Sequence, residues 1–205
     1  LRLIPEDKSD DRSRLTNDRA HAQSQAGTNS DPLIDATFLE EEEIQAKVRE
    51  MGRLITRDYD GKNLLLLSIL KGAVYFMTDL ARSIDLPLAM VFLAISSYQE
   101  DQGKTGSRAV RFLKDADAPM EGKDVLIVED IIDTGLTLHY IRRNLSLRSP
   151  RSLEVCTLLD RPHRRLVDIP VRYQGFTVPD DFFVGYGFDH RQRYRNLPYL
   201  AYVNA

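Results

Sequence analysis

Val125-Leu126-Ile127-Val128-Glu129-Asp130-Ile131-Ile132-Asp133-Thr134-Gly135-Leu136-Thr137 is the stretch on which the reading of the fold turns. Its first four residues form a short, continuous, apolar run, the pattern of a strand covered on both faces in a parallel sheet. Two acids follow at once, and Asp133-Thr134-Gly135-Leu136-Thr137 then opens a helical pattern that runs from Leu136 to Leu147. In an open α/β sheet, ligands bind at the carboxyl ends of the strands. The turn at 133–137 would present free backbone N–H groups and two hydroxyls at a helix N-terminus, which is a cradle for phosphate. Gly135 allows the backbone to approach closely. Three acids beside a phosphate site are unfavourable unless they bind hydroxyls, a metal ion or a developing positive charge. A phosphorylated, hydroxyl-rich sugar with magnesium meets all of these needs. Any one acid is explained as plainly by the end of a strand, and Thr134 by a helix cap; the whole constellation is not.

The pattern on either side is α/β. Upstream, Thr37 followed by Glu40 reads as a capping box before a helix whose apolar face is Ile44, Val48, Met51, Ile55 and Tyr59, stopped by Asp60-Gly61. Leu64–Leu70 is a second buried strand, Ala73–Ile84 a helix, and Leu88–Ile95 a further buried strand. Gln99–Arg108, with Gly103 and Gly106, reads as a mobile loop, and Val110 and Phe112 alternate with charges in a half-exposed strand. Downstream, Leu153–Leu159 is a strand again. Strand and helix alternate, so the expectation is a largely parallel central sheet flanked by helices with right-handed crossovers. After Pro170 come short aromatic strands at Val171–Phe176, Phe182–Tyr186 and Tyr199–Val203, expected to form a small hood over one end of the sheet. Residues 1–32 differ from everything after them: between Glu6 and Ser30 the only large aliphatic residue is Leu15 and there is no aromatic. That stretch cannot bury enough surface to offset its ordering entropy and is expected to be disordered, leaving one domain over 33–205.

Composition narrows the function classes. The chain of 205 residues has 31 acids against 28 basic residues, a formal net charge of -3, which disfavours nucleic acid as the main partner. The single cysteine, Cys156, excludes an internal disulfide and a cysteine-rich zinc site. Leu64–Leu70 is the longest apolar run, far short of the roughly 20 residues a membrane helix needs, and the N-terminal stretch lacks the apolar segment of a signal peptide. A cytoplasmic protein with no membrane partner is expected. Gly103-Lys104-Thr105 fails as a P-loop because Tyr98 stands where the first glycine belongs.

The 125–137 segment resembles the phosphoribosyl pyrophosphate (PRPP) motif of the type I phosphoribosyltransferases, and residues 35–203 as a whole resemble the hypoxanthine-guanine phosphoribosyltransferases. Leu70-Lys71-Gly72-Ala73 looks like that family's pyrophosphate loop, whose Leu–Lys peptide can be cis. Ser97-Tyr98 resembles the pair on its flexible loop, which closes over the site during reaction. Phe182-Phe183-Val184-Gly185-Tyr186-Gly187-Phe188-Asp189 resembles the hood that holds the purine. The match implies that Phe182 stacks on the base, that the Phe183 backbone meets its edge, and that Asp189 lies near pyrophosphate and takes part in a magnesium site. Arg195 matches an arginine that contacts pyrophosphate. Leu158-Leu159-Asp160-Arg161-Pro162 matches the strand end where the family has a lysine that donates to the 6-oxo group of the base. Here the position holds Arg161, which is longer, planar and forked.

The resemblance implies transfer of a 5-phosphoribosyl group from PRPP to N9 of hypoxanthine or guanine, giving the nucleotide and pyrophosphate. Glu129 and Asp130 are expected to bind the ribose hydroxyls, favour the developing positive charge and contribute to a magnesium site. Asp133 is the candidate for proton traffic at purine N7. Thr134, Gly135, Leu136 and Thr137 are expected to hold the 5′-phosphate, and Lys71, Gly72 and Arg195, with Mg2+, the pyrophosphate. A homodimer or homotetramer is implied. Two other readings stay open at this stage: another base specificity, xanthine or adenine, which Arg161 permits, and a regulatory protein that senses PRPP on the same fold. Cys156 reads as a buried, inert thiol and the four histidines receive no role; for the basic cluster Arg161, His163, Arg164, Arg165 a solvated loop is the default expectation, with attraction of substrate as the sharper alternative.

Overall fold

The structure, a computed structural model, describes residues 31–99 and 108–204. Residues 1–30, expected to be disordered, and 100–107, expected to be the centre of a mobile loop, lie outside the described residues.

A six-stranded sheet is built from β2 (Leu64–Leu70), β3 (Ala89–Gln99), β4 (Arg108–Lys114), β5 (Asp124–Ile132), β6 (Ser152–Asp160) and β7 (Tyr173–Thr177), in the order β4-β3-β2-β5-β6-β7. Every pairing is parallel except β3 with β4. The continuous apolar runs have the expected cause. Leu64 and Leu66 of β2 face one core with α1 (Glu41–Asp58) and α2 (Val74–Ser83). Leu65 and Leu67 face the other core with Leu138, Ile141 and Leu145 of α3 (Leu136–Ser146). Both faces are dry, so no alternation appears in the sequence.

A second, antiparallel sheet of three strands has the order β1-β9-β8, from β1 (Ile34–Leu39), β8 (Phe183–Val184) and β9 (Leu200–Val203). Phe38 stacks on Phe183 with ring centroids 4.5 Å apart, and Tyr202 meets Phe38 edge-on at 5.3 Å. These rings tie the small sheet to the first core.

Three expectations are corrected. Thr37 does not cap a helix: it lies in β1 opposite Ala201, and the capping box falls one turn later, where the Glu43 carboxylate accepts from the Glu40 amide at 2.9 Å. The strand expected at Val171–Phe176 is not part of the hood; its counterpart β7 pairs with β6 at the edge of the main sheet, and the hood takes β1 instead. Ser97 and Tyr98 are not on a loop. They extend β3 three to four residues past Ala94, the partner of Leu70, and pair with Val110 and Ala109 in an antiparallel hairpin.

Candidate active site

The carboxyl ends of β2, β5 and β6 converge under the small sheet, and the residues singled out in the sequence gather there. β5 runs on to Ile132, so Glu129 and Asp130 are strand residues and Asp133 begins the turn. Gly135 is the N-cap of α3, at φ 80°, with no side chain capping the helix. A Cβ there would lie 2.9 Å from Ile169 Cδ1 and 3.1 Å from Val167 Cγ2, so glycine is required by conformation and by space. The turn is held from behind by the Leu166 amide, which donates to the Thr134 carbonyl at 3.0 Å. Glu129, Asp133, Thr134, Gly135 and Thr137 line a recess of about 130 Å³ at the uncapped helix end. The amide groups of a first helical turn have no intrahelical acceptor, so this recess suits a compact anion.

A second recess of about 240 Å³ is lined by Asp130, Ile131, Arg161, Phe182, Phe183, Phe188, Asp189 and Arg195. Phe182 is 58% exposed, an unusual placement for a large aromatic ring, while Phe183 is packed in the core. Gly72, in the turn after β2, borders Asp130 of β5. The Leu70–Lys71 peptide is cis. A Cβ on Gly72 would fall 1.8 Å from Asp130 Oδ2, and one on Gly187 (φ 102°) would fall 1.9 Å from the Gly72 carbonyl oxygen. The loop after β2, the acid of β5 and the hood therefore meet in contacts that admit only glycine. Arg195 closes the set, donating from Nη1 to the Gly187 carbonyl at 2.6 Å and pairing through Nη2 with Asp189 Oδ1 at 2.5 Å. Tyr186, at φ 44°, anchors this loop: its hydroxyl donates to Asp79 Oδ2 on α2 at 2.7 Å, and Gln45 Nε2 on α1 donates to the same oxygen at 2.7 Å.

The electrostatics single out the two strand acids. Neither Glu129 nor Asp130 forms an ion pair among the described residues. Surface exposure makes both half-buried, yet protein crowds them from most directions. Desolvation pushes the Glu129 carboxyl well above its usual range, and the neighbouring Asp130 adds to the rise. Asp130 is pushed up to about 6, chiefly by burial, against the pull of backbone hydrogen bonds at Ile131 and Asp130 and of the Arg195 charge. Paired, desolvated carboxylates of this kind mark functional sites more often than structural ones.

A larger hollow, of about 480 Å³, lies along the 160–171 connection and β7. It holds neither the paired acids nor the helix end, so the chemistry points to the two smaller recesses.

The phosphoribosyl transferase domain profile matches residues 36–191. The chain belongs to this family. It is 50% identical over 174 residues to a hypoxanthine-guanine phosphoribosyltransferase of Mycobacterium avium, covering 82% of this chain and 85% of that one. It is 50% identical over 168 residues to a hypoxanthine phosphoribosyltransferase of Salmonella typhimurium, covering 81% of this chain and 93% of that one. Among solved structures, a hypoxanthine-guanine phosphoribosyltransferase of Bacillus anthracis superposes with a TM-score of 0.78 at 43% identity, covering 84% of this chain and 99% of that one.

Within this phosphoribosyltransferase site, three residues were not expected from sequence. Phe188 lines the second recess. Gln192 presents Oε1 to both Lys71 Nζ and Arg195 Nη2, each at 3.4 Å. Arg164, read as a solvated loop residue, lies with Nε 2.8 Å from Asp133 Oδ1. Only the clustering of basic residues after β6 signalled it. Arg161 is 12% exposed and its guanidinium lies 5.6 Å over the Phe183 ring; Nε donates to the Pro179 carbonyl at 3.1 Å and Nη2 to the Asp181 carbonyl.

Proposed function

We propose that the protein is a purine salvage phosphoribosyltransferase that moves the 5-phosphoribosyl group of PRPP to N9 of hypoxanthine or guanine. The observation that carries this reading is the juxtaposition of an anion-suited helix end, two desolvated acids and an exposed aromatic ring at one end of the sheet. In the reaction N9 forms a bond to ribose C1 while the bond from C1 to the pyrophosphate oxygen breaks, and pyrophosphate leaves with the electron pair. The transition state carries positive charge at C1 and the ring oxygen.

Each part of the site has a task in that step. The turn Thr134, Gly135, Leu136 and Thr137 holds the 5′-phosphate through backbone N–H groups and hydroxyls. Glu129 and Asp130 accept from the ribose hydroxyls and favour the charge at C1, with more effect here than in water because the site is desolvated. Lys71, Gly72 and Arg195 hold the pyrophosphate. Phe182 stacks on the base, and the Phe183 backbone meets its edge. Arg161 Nη1, which makes no hydrogen bond among the described residues, is the donor for the 6-oxo group. Asp133 accepts the proton that leaves N7 as N9 is alkylated. Ser97 and Tyr98, on the hairpin, belong to the segment that covers the site and excludes water.

Magnesium fits this donor set. Among the described residues no three His, Cys, Asp or Glu side chains converge as a complete cage, and magnesium does not need one: it keeps several waters and takes one or two carboxylates plus substrate oxygens. Glu129 and Asp130, neither of which forms an ion pair among the described residues, are the residues that would hold it; Asp189 already accepts from Arg195 and from the Gln192 amide at 2.7 Å. When bound, the ion neutralises the leaving pyrophosphate.

No described helix is long and apolar enough to cross a membrane. A cytoplasmic homodimer or homotetramer acting on small molecules, without nucleic acid, completes the reading. The test is an ultraviolet assay with PRPP and magnesium, offering hypoxanthine, guanine, xanthine and adenine separately beside a no-enzyme control. Turnover of hypoxanthine or guanine supports the reading. Turnover of xanthine or adenine alone contradicts the base assignment and locates the reason at Arg161. PRPP binding without turnover of any base favours a regulatory protein.

A further inference from the structure

Arg164 links the turn after β5 to the turn before Phe182. It ends the short 3₁₀ turn Pro162–Arg164 that follows β6, and its fork reaches acids from two different elements. Nη1 donates to Asp180 Oδ1 at 2.5 Å, and Nε lies 2.8 Å from Asp133 Oδ1. Asp133 belongs to the phosphate turn, and Asp180 lies two residues before Phe182 in the turn that leads to the base wall. Arg161 clamps the same turn through the carbonyls of Pro179 and Asp181.

The two contacts of Arg164 differ in kind. The one to Asp180 is an aligned hydrogen bond, which holds the Asp180 carboxyl below its usual range. The one to Asp133 is close but not aligned: Oδ1 is buried and has no hydrogen-bond donor in the described structure. Arg164 thus holds Asp133 by its buried oxygen through charge, while the rest of the half-exposed carboxylate stays accessible. An ion pair at this degree of exposure, 39% and 38% on the two side chains, adds little to stability. Its consequence is placement.

Resting on the reading of Asp133 as the acceptor of the N7 proton, we propose that Arg164, moored by Asp180, is a positioning residue that holds the Asp133 carboxylate through its buried Oδ1, so that the exposed remainder of the group faces the incoming purine. The guanidinium is suited to this because its Nε and Nη1 are rigidly spaced, so mooring one end aims the other. The base meets an oriented acceptor without displacing a bonded donor.

The test is steady-state kinetics of the wild type, R164A, D180N and the double variant, with thermal denaturation of each. Expected for R164A is a fall in kcat of about tenfold, with KM for PRPP within about twofold of the wild type. D180N falls in the same direction by less. The double variant matches R164A, because the two residues act through one chain of contacts. Midpoints shift by no more than about 2 °C, in line with a weak surface pair. An unchanged kcat in R164A beside an active wild type overturns the proposal, as do penalties that multiply in the double variant. So does a loss of PRPP affinity together with a large drop in midpoint, which would mark a collapsed site. A wild type inactive with every base contradicts the functional reading itself, and it is seen before any variant is compared.

Discussion

Replacing Asp130 by Asn should make the ligand-free protein more stable at neutral pH while disabling it. Asp130 is an acid whose folded environment favours the neutral form: its carboxyl rises from 3.8 to about 6, chiefly through burial. Between those values the folded chain binds more protons than the unfolded chain, so stability falls as pH climbs from about 4 to about 6, and the deficit is complete above that range. A rise of this size corresponds to up to about 3 kcal/mol at pH 7.5. Asparagine removes the charge with little change of shape. Its Oδ1 can keep the bond that Asp130 Oδ1 accepts from the Ile131 amide at 2.8 Å, and its Nδ2 occupies the oxygen position packed on Gly72. The variant also removes the Asp130 charge that helps raise Glu129. For a domain of this size the gain amounts to about 5–10 °C in midpoint. The assay is thermal or urea denaturation without ligands at pH 4, 5, 6 and 7.5. D130N should exceed the wild type at pH 7.5 and converge with it toward pH 4. No gain at pH 7.5, or a gain that does not change with pH, would refute the reasoning.

Three further outcomes follow from the geometry. D133N should lower kcat by about a hundredfold, the usual weight of a positioned proton acceptor, with less effect on PRPP affinity measured by calorimetry; an unchanged kcat removes Asp133 from that role. G72A forces a Cβ into the Asp130 carboxylate, 1.8 Å away, and should cost at least about tenfold in kcat/KM for PRPP, or 1.4 kcal/mol, in initial-rate assays. Y186F deletes one of the two donors to Asp79 and should lower stability by about 1–3 kcal/mol in urea titrations, while the Arg195 and Gly187 contacts it supports loosen and KM for PRPP rises.

The parts of this fold that are local in the chain were legible in it, and the parts that depend on distant pairing were not. β5, its acids and the turn into α3 form one continuous segment, so apolar run, acid pair and glycine could be read as strand, carboxyl end and helix entry. β1 was hidden because Ile34–Leu39 carries Asp35 and Thr37, residues that serve equally well before a helix; pairing with β9, on the far side of the chain, makes it a strand. The aromatic texture of Val171–Phe176 suggested the hood, yet parallel pairing of Tyr173–Thr177 with β6 claimed the strand for the main sheet. In the site, the constellation of acids, glycine and hydroxyls in one segment, and no acid alone, announced Glu129, Asp130 and Asp133. The partners of Arg164 did not announce themselves, since Asp133 and Asp180 lie 31 positions before and 16 after it, brought together only by the turns they sit in. Arg161 was read as a donor to the base; its work in holding the Pro179–Asp181 turn became visible only with the carbonyls in place.

The most direct measurement of the central claim is product identification. The protein, incubated with PRPP, magnesium and hypoxanthine, is analysed for nucleotide and pyrophosphate by mass spectrometry and a coupled phosphate assay. The account predicts inosine monophosphate and pyrophosphate in equal amounts, with the base attached through N9. Hydrolysis of PRPP without capture of the base, or recovery of both substrates unchanged, would contradict it.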